Sequence, residues 1–323
     1  MSGSYQQTPP TVSSISPSTG EPSANTRTNF VDVIVNLGSG GNNEMIVDQL
    51  EKLFVCAELV ANFHLIDNTA DLDRTAASII ESGSSTVVVA GGDGTVGTVA
   101  GAVAREGKVL GVLPLGTLNN FSKDIGIPQE LDAAVGIIAG GHTRKVDIAS
   151  VNGRCFVNNS SIGLYPRIVK HREKQQRLGR GKWWAAAWAA LRVLRTSSFM
   201  KVKLLVNGHE LLRKTPFVFV GNNAYQMDLY NIGRRERLDS GQLSVYLIRH
   251  YGRRGVMWLV LRTLFGLLRQ SKDFEEMQTD ELTIELRRPS VLVAADGEVQ
   301  QMETPLHYGI LPQGLTVLVP EAE

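Results

Sequence analysis

From residue 30 to about residue 145, short aliphatic runs alternate with segments whose apolar residues recur at helical spacing. Val31 to Val35, Phe63 to Ile66, Thr86 to Ala90 and Val109 to Leu113 read as strands. The last two are almost wholly aliphatic, as strands covered on both faces are. Glu44 to about Ala61, Thr75 to Ser82 and Val96 to Arg105 carry the helical pattern, with Asp71 to Arg74 a polar entry to the second. Such alternation predicts a parallel sheet with right-handed crossovers.

After Asp147 the pattern changes to short strand-like runs: Cys155 to Asn158, Val202 to Val206, Pro216 to Val220, Leu243 to Ile248, Leu282 to Leu286, Val291 to Ala294 and Leu315 to Val319. Asn152-Gly153 and Asn207-Gly208 punctuate them as hairpin turns. The chain therefore predicts an α/β nucleotide-binding domain over 30–145 and a mostly antiparallel β-sandwich domain over 146–323. Two helical inserts interrupt the second domain, near 181–195 and 253–270. Residues 1–29 are Ser, Thr, Pro, Gly, Gln and Asn with few large apolar side chains, which predicts a disordered tail.

Composition narrows the function classes. A length of 323 residues suits two domains, and a net charge of +1 gives no global pull toward nucleic acid. Cys56 and Cys155 fit no metal or disulfide spacing and read as small core residues in a reducing compartment. The histidines show no ligand spacing. No run approaches the ~20 apolar residues of a spanning helix, and the N-terminus lacks the basic and apolar regions of a secretion signal. A cytoplasmic protein is the expectation.

The candidate chemistry lies at strand ends. Thr86 to Ala90 runs into Gly91-Gly92-Asp93-Gly94-Thr95, followed by a helical pattern. Glycines at such a turn let the backbone approach an anion, and the helix N-terminus adds N–H groups and a positive dipole end. Thr95 can cap the helix or contact a phosphate, and Asp93 can hold a magnesium-bound water or orient a phosphate. The spacing matches neither the P-loop nor the dinucleotide fingerprint. Val109 to Leu113 leads into a second turn, Pro114 to Phe121 (PLGTLNNF), and Asn36 to Gly41 follows the first strand. Adjacent parallel strands place such turns side by side at the carboxyl edge of the sheet, where ligands bind. Farther on, Asp296-Gly297-Glu298 follows the apolar run Val291 to Ala294, putting two carboxylates at a strand end.

With these motifs the sequence resembles the diacylglycerol kinase catalytic-domain family, which includes bacterial soluble lipid kinases and sphingosine kinases; it is more distantly similar to NAD kinases. The resemblance runs from about Val31 to Pro320 and includes Val146-Asp147-Ile148, Phe156-Val157-Asn158, Ser161-Ile162-Gly163, Val220-Gly221-Asn222 and Leu311-Pro312. It implies ATP in a cleft between the two domains, magnesium, and a lipid hydroxyl as acceptor. By the same resemblance the nucleotide would meet Asn36, Gly38, Ser39 and Gly40, with Leu37 where the family has proline. Thr69, the loop Gly91, Gly92, Gly94, Thr95, Gly97 and Thr98, and Gly116, Thr117 and Asn119 complete that set. Glu298 falls on the family's proton acceptor, with Asp296 and Asp93 as its catalytic companions. Phosphoryl transfer asks for alignment, charge neutralisation and a carboxylate to take the alcohol proton, which agrees.

The sequence departs from the family pattern at acidic positions. Gly97 and Thr98 stand where Asn and Glu are usual, Asn120 where Asp is common, and Ser240 in place of an aspartate of the structural magnesium loop. Asp239 is the shifted candidate for that metal. Such losses would mean altered metal use, another substrate or reduced catalysis, and would permit a non-catalytic nucleotide or lipid sensor; a kinase of a soluble hydroxyl substrate is the other alternative.

Two apolar segments bear on location. Arg253 to Gln270 carries Arg262 and Arg269 on one face, and Gly179 to Arg195 places Trp184, Trp188 and Leu191 on one stripe beside Lys182, Arg192 and Arg195. They read as core helices with snorkelling arginines or as a peripheral contact with the inner membrane face. The basic run Arg167 to Lys182 lacks an aromatic stacking platform and reads as a solvated loop, not a nucleic-acid site. The lipid and the oligomeric state, a homodimer among the alternatives, stay open.

Overall fold

The computed structural model describes residues 30–39, 43–66, 72–81, 84–163, 199–226, 234–235, 237–248 and 274–321. The expected tail, both helical inserts, the basic run at 167–182, Gly40 and Thr69 lie outside the described residues.

The first half runs β1 (Phe30–Asn36), a 3₁₀ turn (Leu37–Ser39), α1 (Asn43–Cys56), β2 (Val60–Ile66), α2 (Leu72–Glu81), β3 (Thr86–Gly91), α3 (Asp93–Arg105), β4 (Val109–Pro114), α4 (Asn120–Asp124) and α5 (Leu131–Gly140). The strands pair in parallel in the order β2-β1-β3-β4. Every residue of β3 is buried, as its aliphatic run requires. The helix expected to reach about Ala61 stops at Cys56. Glu58 takes φ +56 and Leu59 donates back to the Phe54 carbonyl at 3.0 Å, so the apolar residues after it enter β2 instead.

The second half is strand-dominated: β5 (Thr143–Val151), β6 (Arg154–Phe156), β7 (Asn159–Gly163), β8 (Met200–Val206), β9 (His209–Thr215), β10 (Phe217–Asn222), β11 (Tyr225–Gln226), β12 (Arg234–Arg235), β13 (Leu243–Ile248), β14 (Phe274–Thr279), β15 (Glu281–Leu286), β16 (Ser290–Ala295), β17 (Glu298–Glu303) and β18 (Leu306–Leu318). Both Asn-Gly pairs make tight hairpins, with φ +46 and +81 at Asn152-Gly153 and +49 and +76 at Asn207-Gly208. A six-stranded antiparallel sheet, β14-β13-β10-β7-β16-β17, packs on β18, β15 and β8. Val218, Val220, Leu243 and Val245 from one layer meet Leu204, Leu282, Ile284 and Leu306 from the other, which makes the sandwich core.

The two halves share a sheet. β18 pairs antiparallel with β15 through its first part and with β5 along its length, shifts its register on β5 between Leu311 and Leu315, and runs parallel to β4 at Thr316 and Val317. The run Leu315 to Val319, assigned from sequence to the β domain, thus packs in the core of the α/β layer. The boundary expected at 145/146 falls inside β5. This continuity holds the loops of the α/β half against the β16–β17 turn.

Candidate functional site

The order β1-β3-β4 brings the three glycine-bearing turns to one edge. Asn36 at the end of β1 donates from Nδ2 to Thr95 Oγ1 at 2.7 Å and accepts from Gly38 N–H at 3.0 Å. Leu115 N–H donates to the Gly91 carbonyl at 3.1 Å. Gly92 and Gly116 touch through backbone, since a Cβ on Gly116 would stand 2.5 Å from Gly92 Cα. Gly92 is the extended N-cap of α3 and offers no side-chain cap, and the first N–H groups of a helix have no intrahelical partner. Asn119, left-handed at φ +51, caps α4 and donates to the Gly116 carbonyl at 3.0 Å. Its Oδ1 is buried with no partner among the described residues. Thr117 is exposed at the tip of this loop, and Ser39 ends the 3₁₀ turn after β1.

The β16–β17 turn reaches the same place from the sandwich. Asp296 (φ +48) is buried, and its Oδ1 accepts from the N–H groups of Asn158 at 2.8 Å and Asn159 at 3.1 Å. Its Oδ2 accepts from Val157 N–H at 2.8 Å. Burial pushes this carboxyl up to about 7, the three N–H donors opposing the rise and the charge of Asp93 adding to it. Glu298 opens β17, half-exposed, and its Oε2 lies 2.5 Å from Nη2 of Arg154.

Two glycines of α3 receive these carboxylates. A Cβ on Gly94 would stand 2.8 Å from Glu298 Cγ, and one on Gly97 would stand 2.2 Å from Asp296 Oδ2. Gly97, a departure at the level of sequence, is thus the space that Asp296 occupies. Thr98 beside it is partly exposed.

Asp93, a candidate for a magnesium-bound water or a phosphate, is committed inward. Its Oδ1 accepts from Phe121 N–H and from Asn158 Nδ2, both at 3.0 Å, and its Oδ2 from Asn120 N–H at 3.1 Å. It ties the first loop to the start of α4 and to the sandwich. Asp239 is exposed and paired with Arg237 at 3.1 Å. Its loop is clamped by buried Asp147, whose carboxylate accepts from Gly241 and Gln313 N–H, each at 2.7 Å. Ser240 donates from its N–H and its hydroxyl to Asn223 Oδ1 at 2.9 and 2.5 Å. Among the described residues no three His, Cys, Asp or Glu converge as metal ligands. These donors do not fit a resident cation.

Residues that sequence reasoning did not assign complete the site. Asn158 bridges Asp93 and Asp296 and accepts on Oδ1 from Arg235 Nη2 at 2.9 Å. Arg235 is fully buried, paired with Asp124 at 2.8 Å, bonded to the Val157 carbonyl at 2.6 Å and stacked 5.6 Å from the centre of the Tyr225 ring. Asn222 Nδ2 donates to the carbonyls of Asp147 and Val157 at 2.9 and 3.0 Å. Phe156-Val157-Asn158 and Val220-Gly221-Asn222 stand out in the sequence, but nothing in it pairs them with Arg235.

Comparison with known proteins agrees with this arrangement. Residues 31–151 match the diacylglycerol kinase catalytic domain, and residues 163–319 match the YegS C-terminal NAD kinase beta sandwich-like domain. The chain belongs to the diacylglycerol kinase catalytic-domain family. Among its relatives is a protein of Escherichia fergusonii named "Probable lipid kinase YegS", 41% identical over 104 residues, which are 31% of this chain and 35% of that one. Another is a Staphylococcus epidermidis protein named "Diacylglycerol kinase", 34% identical over 122 residues, 37% of each chain. The matched stretch spans little more than a third of either relative's length. A crystal structure described as a diacylglycerol kinase from Bacillus anthracis superposes with a TM-score of 0.70 at 24% identity, covering 91% of this chain and 98% of its own. That likeness carries the family fold across both halves.

Proposed function

We propose that the protein is an ATP-dependent kinase that transfers the γ-phosphate to a hydroxyl of diacylglycerol or a similar lipid. The observation that supports this most is the contact between Glu298 and Gly94, which sets a half-exposed carboxylate on the N-terminal turn of α3. The N–H groups of that turn would hold the phosphates, with the loops at Asn36–Ser39 and Gly116–Asn119 beside them. The lipid hydroxyl oxygen would attack the γ-phosphorus as its bond to the bridging oxygen breaks and ADP departs. Glu298 would accept the hydroxyl proton. Asp296, Asn158 and Asp93 would act by position, keeping the β16–β17 turn against α3. A divalent cation, usual for ATP chemistry, would come with the nucleotide's phosphates.

One observation favours a second reading, a nucleotide or lipid sensor without turnover: Asp93 and Asp296 each spend both carboxylate oxygens on N–H donors. A lipid acceptor would bring the protein to a bilayer surface, in keeping with a peripheral place at the inner membrane face. No helix among the described residues is long and apolar enough to cross a membrane. Incubation with labelled ATP, magnesium and mixed micelles of diacylglycerol separates the readings. Label in the lipid supports the proposal; label only in a water-soluble acceptor overturns it for a soluble substrate, and nucleotide binding without any transfer overturns it for a sensor.

A further inference from the structure

From Gly97 and Thr98, at the end of the expected phosphate loop, a cavity of about 340 Å³ extends along α3 between that helix, β6 and β17. Besides three glycines it is lined by Thr98, Arg105, Asn152, Arg154, Cys155 and Gln300, and no Asp or Glu is among its lining residues. Gly101 leaves room for Cys155, whose Cβ lies 2.7 Å from where a Cβ on that glycine would be. Arg105 folds back along the helix, bringing Nη1 within 3.9 Å of the same point. The cavity thus presents two guanidiniums with neutral hydrogen-bonding groups, the composition that suits a phosphate-type anion. Where the family pattern has glutamate, this chain has Thr98, which places no like charge against such an anion.

One of the two arginines is shared with the proposed chemistry. Arg154 Nη2 holds Glu298 Oε2 at 2.5 Å, so a single guanidinium faces both the cavity and the proton acceptor. Side-chain exposures of 25% and 36% put this pair near the surface, where an ion pair is exchanged at little cost.

We propose that this cavity binds a phosphate-type anion, and that its occupant draws Arg154 off Glu298 and frees the carboxylate to accept the alcohol proton. The site follows from the cavity; the coupling rests on the kinase reading above. The anion's source is either free phosphate or the phosphate of a lipid headgroup, which present the same chemistry to the two arginines.

Inorganic phosphate, titrated into the full-length protein at constant ionic strength without nucleotide, is expected to raise the unfolding midpoint. Arg105→Gln, a change at an exposed position, is expected to keep the wild-type midpoint in chloride and to lose the phosphate response. In the micelle assay with diacylglycerol, phosphate is expected to raise kcat by up to about fivefold, the scale of one exposed ion pair, with the KM for ATP unchanged. Vesicles of neutral lipid with and without phosphatidic acid identify the source: a response confined to phosphatidic acid assigns a headgroup, and one to inorganic phosphate alone assigns the free ion. A midpoint moved neither by inorganic phosphate nor by vesicles with phosphatidic acid overturns the site. Phosphate that slows the reaction in competition with ATP, or that lowers kcat, overturns the coupling. An Arg105-dependent midpoint shift in a protein that transfers no label keeps the site and removes the kinase reading instead.

Discussion

Gly97 and Asp296 occupy one space: a Cβ on the glycine would stand 2.2 Å from the aspartate Oδ2. Asp296 has no room to retreat, because three backbone N–H groups hold its carboxylate. Gly97→Ala is therefore expected to destabilise the protein by about 1–3 kcal/mol, as overpacking does, despite alanine's better helix propensity. Denaturant unfolding measures it. Thr98→Ala, one residue on and partly exposed, is the control and is expected to stay within about 0.5 kcal/mol of wild type.

Asp296 also gives stability a pH dependence. Its carboxyl rises from an ordinary 3.8 to about 7 in the fold, so the folded chain binds the extra proton between those values. Its contribution is complete below pH 4 and is lost as pH climbs toward 7. The difference between wild-type and Asp296→Asn unfolding free energies is expected to shrink across that window. A difference that grows from pH 4 to pH 7 would mean that the three N–H donors outweigh burial.

Arg235 and Asp124 form a fully buried pair that also fixes Asn158. Removing one partner leaves an uncompensated charge, so Arg235→Met is expected to cost about 3–5 kcal/mol. The double variant Arg235→Met/Asp124→Leu is expected to recover part of that loss in the same unfolding measurement.

Asp147 clamps the 238–242 loop by accepting from the N–H groups of Gly241 and Gln313, and no three metal-ligating side chains converge among the described residues. EDTA is accordingly expected to leave the unfolding midpoint of the nucleotide-free protein unchanged, whereas Asp147→Ala is expected to lower the unfolding free energy by about 1–3 kcal/mol through the orphaned N–H groups of Gly241 and Gln313. Asp239→Asn, at an exposed position, is expected to leave it unchanged.

The legible parts of the fold share a physical cause. β3 and β4 are buried on both faces and so spell nearly unbroken aliphatic runs, as β1 does apart from Asp32, and the Asn-Gly turns announce their own left-handed geometry. β9 (HELLRKT), β14 (FEEMQT) and β17 (EVQQME) carry polar side chains on a solvated face, and each was missed. In the site, GGDGT and Asp-Gly-Glu were visible because backbone geometry demands glycine there. Arg154 and Arg235 were not, and Asn158 was visible only within a motif without a role, since the roles of Asn158, Arg154 and Arg235 come from contacts across 65, 144 and 111 residues of chain.

Glu298 is the residue on which the account stands, and Glu298→Gln preserves its shape over Gly94 while removing the proton acceptor. Phosphate transfer from labelled ATP to diacylglycerol in micelles, measured with ATP affinity for both proteins, tests it most directly. The expected result is a fall in kcat of roughly 10²–10⁴-fold with ATP affinity unchanged. A glutamine variant that transfers phosphate at the wild-type rate would contradict it.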